Sequence, residues 1–150
     1  MRVLVCTCLL FLVAPNVHAD EQQLGQDCDQ VERILITLSN AKYSRDWGVF
    51  QGNDGESVYG GCVMVVTGNR SSSPDFQARL DLLYPAQDNE FGKSGWELED
   101  SSEDDQDFTI TRNGNFCQVT GDWDASAKPG SKSGASSTFT IRVECGVREE

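Results

Sequence analysis

Histidine is almost missing from this chain: the single one, His18, lies near the N-terminus, and nothing after it carries an imidazole. A segment without histidine cannot run Ser-His-Asp or Cys-His chemistry, nor build the usual zinc, copper or facial-triad iron site. No GxSxG, GxGxxG or Walker pattern occurs, so the Gly-rich signatures of hydrolases and nucleotide binders are absent as well. Positive charge is scarce too, with 12 Lys and Arg against 24 Asp and Glu. A chain this acidic has no electrostatic footprint for nucleic acid and is repelled by an anionic membrane surface. The one long apolar run, Val3 to Val13, is too short to span a bilayer.

That run has a different use. With Arg2 before it and the small-residue site Val17-His18-Ala19 after it, it has the form of a secretory signal peptide over residues 1–19, cut before Asp20. Cys6, Cys8 and His18 leave with it, and loss of Arg2 takes the net charge from −12 to −13. Residues 20–150 then form a single secreted domain, large enough for its own core and with no later membrane span expected. Its four cysteines, Cys28, Cys62, Cys117 and Cys145, are even in number, widely spaced and free of CxxC, which points to two disulfides rather than a metal site.

The clearest structural signal is Asp107 to Asp124, two alternating runs around Asn113-Gly114, a dipeptide suited to a two-residue type I′ hairpin. Pairing Arg112 with Asn115 sets Ile110 opposite Cys117 and Phe108 opposite Val119. A last strand, Ser137 to Gly146, can pair antiparallel with the second hairpin strand so that Cys117 meets Cys145, Val119 meets Val143, Gly121 meets Ile141 and Trp123 meets Phe139. The same register sets Gln118, Thr120 and Asp122 against Glu144, Arg142 and Thr140. One register thus satisfies both faces, and a one-residue slip would invert every side chain. It predicts Cys117–Cys145 across the strands and, by elimination, Cys28–Cys62.

Upstream, Leu24, Cys28, Val31, Leu35 and Leu38 recur at helical spacing, predicting an amphipathic helix over about 22–40 with Gln26, Asp29, Gln30, Glu32 and Arg33 on its polar flank. The β-branched Ile34 to Leu38 run would suit a strand as the alternative. Residues 42–56 read as a loop whose Tyr43, Trp47 and Phe50 cap the core's edge. Strands are expected at Ser57–Thr67, where Gly60-Gly61 marks a bulge or close backbone approach, at Phe76–Tyr84, and at Trp96–Asp100. Asn69-Arg70-Ser71 is a glycosylation sequon, and Ala125 to Ser136 a flexible loop. The fold class is α+β: an N-terminal amphipathic helix on one face of an antiparallel, mostly meandering sheet of five or six strands, with two disulfides.

Three functional expectations follow. The first is a secreted or periplasmic non-enzymatic binding or accessory protein with no cofactor, an acidic inhibitor or partner of a basic envelope protein. Its candidate surface is the polar sheet face of Thr109, Thr111, Phe116, Gln118, Thr120, Asp122 and Arg142, taken to be wet. The second is a carboxylate-dependent envelope hydrolase using Asp122 and Asp124, which alternation aims to the same side. The third is a calcium-dependent module using the seven acidic residues between Glu97 and Asp107. That run is no EF-hand: counted from Asp100, it has Asp105 where the loop needs Gly and Thr111 where it needs Glu.

Overall fold

The computed structural model describes residues 17–36, 41–69, 80–102, 106–123 and 138–148. In chain order the elements are α1 (Val17–Leu35), β1 (Lys42–Gln51), β2 (Val58–Asn69), α2 (Glu90–Lys93), β3 (Glu97–Ser101), β4 (Asp107–Arg112), β5 (Asn115–Trp123) and β6 (Thr138–Val147). All six strands join one antiparallel sheet in the order β1-β2-β6-β5-β4-β3. A hairpin, β1-β2, is therefore joined to a four-stranded meander, and the chain crosses from β2 to the far edge before meandering back to β2's other side.

The hairpin at Asn113-Gly114 has the expected geometry, with φ of 52° and 83° at its central residues. Its register matches the sequence expectation at Arg112↔Asn115, Ile110↔Cys117 and Phe108↔Val119. So does that of β5 with β6 through Cys117↔Cys145, Val119↔Val143 and Trp123↔Phe139. Both expected disulfides are present, Cys28–Cys62 and Cys117–Cys145.

Alternation divides the sheet into a cysteine face and a threonine face. On the cysteine face, Cys62, Met64, Val66, Phe108, Ile110, Cys117, Val119, Phe139, Ile141, Val143 and Cys145 form one buried cluster that also contains Leu24, Cys28, Val31 and Leu35 of α1. Burying side chains of this size contributes about 1.5–3 kcal/mol each.

Several local expectations are corrected. Residues 42–51 form strand β1 rather than a loop. As an edge strand beside β2 it is mostly exposed, so its sequence never acquires the apolar alternation of an inner strand. Residues 80–83 are helical rather than the end of a strand, with Tyr84 N–H donating to Leu80 C=O at 2.9 Å. The rest of that expected strand, 76–79, lies outside the described residues, as do the loop 125–136, Leu38, and Arg70 and Ser71 of the sequon. Gly60-Gly61 produces no bulge, since β2 keeps continuous register with both neighbours. The close approach is real: a Cβ on Gly61 would lie 1.8 Å from the Cys145 carbonyl oxygen. The α1 backbone runs through the expected cleavage point after Ala19.

Candidate functional site

The threonine face is not uniformly wet, which corrects the sequence expectation. Phe116 is 1% exposed, Thr109 4% and Gln118 7%. The cover comes from the β1–β2 hairpin, whose Phe50 and Tyr59 reach over β5. Ring centroids lie 4.6 Å apart for Tyr59 and Phe116, edge to face, and 5.9 Å apart for Phe50 with each of them. Glycine makes room for these rings. Gly146 lies opposite Phe116 on β6, and a Cβ there would stand 3.1 Å from the Phe50 ring.

The connecting turn, 52–57, is tied down by its own backbone and by one aspartate. Gly52 N–H donates to Ser57 C=O at 2.8 Å, and Gly55 takes the left-handed conformation that turns the chain. Asp54 accepts from the Glu56 and Ser57 N–H groups at 3.0 and 2.9 Å and from the Ser57 hydroxyl at 2.5 Å. These bonds, the Ser57 hydroxyl first, hold the Asp54 carboxyl below the usual carboxylate range. Asn53 then bridges to the sheet, its Nδ2 donating to Thr109 Oγ1 at 3.1 Å.

Between this turn and the sheet lies a cleft of about 210 Å³ lined by Gly52, Asn53, Asp54, Tyr59, Glu99, Asp100, Thr109, Phe116, Gln118 and Arg148. A second cleft of about 200 Å³ shares Asn53, Asp100 and Thr109 with it and continues past Ser101, Ser102, Asp107 and Phe108. Among the described residues, Arg148 is the one basic residue lining either cleft. It is bound through both terminal nitrogens to Glu99, which raises its pKa, and its guanidinium lies 5.2 Å from the centre of the Phe116 ring. Gln118 is different. The residue is 7% exposed, and its amide lines the cleft without a hydrogen bond among the described residues.

Of the residues named from sequence, Thr109, Phe116 and Gln118 meet in this cleft, while Thr111, Thr120, Asp122 and Arg142 lie elsewhere on the same face. Thr120 and Asp122 are exposed opposite Arg142 and Thr140, and Arg142 is ion-paired with Glu144 at 2.6 Å. Asp124 and the acidic residues Glu103, Asp104 and Asp105 lie outside the described residues. Sequence reasoning missed Asn53, Asp54, Tyr59 and Arg148. The Asn53-Asp54-Gly55 turn was the available signal, since such a turn between two strands makes a hairpin.

The cysteine face holds a second polar cluster, also missed. Asp27, fully buried, pairs with Arg112 and accepts from Asn115 Nδ2 at 2.7 Å. Arg112 also donates to the Ser94 carbonyl at 3.0 Å and stands 4.8 Å from the centre of the Trp96 ring. Gln30, placed on the polar flank from sequence, is 8% exposed and accepts from Trp96 Nε1 at 3.2 Å. Asp27 sits in the helix stripe, three residues after Leu24 and four before Val31, which marks it as inward-facing.

Comparison with protein-family models, with curated proteins and with solved structures returned no match. The chemistry of the clefts is therefore the guide to what they hold.

Proposed function

We propose that this chain is a secreted or periplasmic non-enzymatic binding protein, an acidic partner of a basic envelope protein, and that the cleft beside Tyr59 is its binding site. In this reading α1 covers the cysteine face, fastened through Cys28–Cys62 and the burial of Leu24, Val31 and Leu35, so the threonine face is the side left for recognition. The two disulfides suit an oxidising compartment. No helix among the described residues is long and apolar enough to cross a membrane.

The observation that carries the proposal is Gln118, whose side chain is nine-tenths buried while its amide lines an acidic cleft with no hydrogen bond among the described residues. An amide held in place by a nearly buried side chain, with its polar atoms open to the cleft, is pre-organised to hydrogen-bond a ligand there. The excess of negative charge over the whole chain would steer a basic partner toward this surface. Immobilised protein exposed to cell-envelope extract should retain a basic protein at low salt and release it at high salt. The variant Gln118→Leu should retain much less of it. Absence of any partner at either salt, or capture indifferent to Gln118→Leu, would count decisively against the proposal.

A further inference from the structure

We infer that the cleft beside Tyr59 receives the guanidinium group of an arginine side chain presented by the basic partner, an assignment that rests on the binding reading above. The lining charge sets the sign. Asp54, Glu99 and Asp100 line the cleft with Arg148, and Arg148 is already paired with Glu99, so Asp54 and Asp100 remain as negative groups with no opposite charge among the described residues. Asp54 keeps its charge into the acid range, because the Ser57 hydroxyl and the Glu56 and Ser57 amides stabilise the carboxylate.

Three further observations select a planar organic cation. First, Gln118, nine-tenths buried and so held in place, offers an unpartnered amide oxygen to the cleft, where a guanidinium N–H can donate to it. Second, this aromatic cluster already takes a guanidinium on one side, in the Arg148–Phe116 contact, and the half-buried Tyr59 ring lines the cleft with its hydroxyl unbonded among the described residues. Third, among the described residues no three carboxylates bring their oxygens together as a small metal ion needs; the one such convergent group consists of the disulfide sulfurs of Cys28, Cys62 and Cys145. Spread carboxylates fit a delocalised charge better than a point charge.

The test is a heteronuclear NMR titration of the disulfide-intact chain with Nα-acetyl-arginine methylamide, its uncharged citrulline counterpart, the corresponding lysine derivative, calcium chloride and cellobiose. The arginine probe should shift the side-chain amide signals of Gln118 and Asn53, the citrulline probe should not, and lysine should act more weakly. Asp100→Asn should weaken the arginine response about tenfold, the loss of one charge-assisted bond, and leave the Cys117 and Val143 backbone signals in place. A citrulline response equal to that of arginine overturns the guanidinium assignment while leaving the binding cleft standing, as does a cleft that answers only to cellobiose or calcium. A cleft unmoved by every probe, when the pull-down also finds no partner, defeats both readings.

Discussion

At the scale of single residues, the most consequential is Asp27, a carboxylate with 0% exposure held between Arg112 and Asn115. Burying it unpaired would cost several kcal/mol, so its stability role lies in the completeness of its partners. Asp27→Ala should destabilise the protein by about 3–5 kcal/mol, because it leaves the Arg112 guanidinium, whose side chain is 13% exposed, without its counter-charge. Urea unfolding measures this, and the double variant Asp27→Leu with Arg112→Met should recover much of the loss. A second residue-scale prediction concerns Tyr43. Burial, with Glu32 beside it, raises the phenol's pKa above its ordinary 10.0. A raised folded-state pKa means the unfolded chain ionises first as pH climbs. The stability that depends on the neutral phenol is therefore whole below pH 10 and declines above it. Melting curves at pH 8 and pH 11 should show a smaller alkaline drop for Tyr43→Phe than for the parent.

At the scale of elements, the sheet's centre depends on backbone proximity that only glycine permits. Gly61 lies opposite Gly146 between β2 and β6, and a Cβ there would overlap the Cys145 carbonyl. Gly61→Ala should cost about 3 kcal/mol, whereas Gly60→Ala, with nothing within 4 Å of the added carbon, should be close to neutral. Comparative denaturant midpoints would decide it. The contrast also explains what was legible in the sequence. The β4–β5–β6 ladder was readable in full because its two faces differ in polarity, its turn has one strongly preferred geometry, and one pair of cysteines must coincide, so a single register satisfied every constraint. Strand β1 was hidden because an edge strand carries little burial pattern. The cleft was half legible: Thr109, Phe116 and Gln118 share a strand face that alternation predicts, but their burial depends on Phe50, Tyr59 and the 52–57 turn folding over them. That is a tertiary event arising in a segment read as a loop.

At the scale of the whole molecule, electrostatics and covalent closure act in opposite directions. The sequence has twice as many acidic as basic residues, 24 against 12, and several of its basic groups are committed to pairs, Arg45 with Asp29 and Glu32, Arg112 with Asp27, Arg142 with Glu144 and Arg148 with Glu99. The unpaired remainder is strongly negative, so compaction brings like charges together and the folded state carries a self-repulsion that the expanded chain relieves. Against this stand two cross-links with sequence separations of 34 and 28 residues, each removing roughly 3.5 kcal/mol of denatured-chain entropy. Salt distinguishes the two contributions, since it screens repulsion over a Debye length of about 10 Å at 0.1 M and leaves cross-link entropy untouched. The melting temperature should therefore rise between 10 mM and 300 mM sodium chloride. If attraction within the exposed pairs dominated, it would fall. The same salt range should weaken capture of a basic partner, so stability and binding should move in opposite directions as ionic strength increases. Parallel decline of both would mean that attraction within the ion pairs outweighs the folded chain's self-repulsion, while capture of the partner still depends on charge.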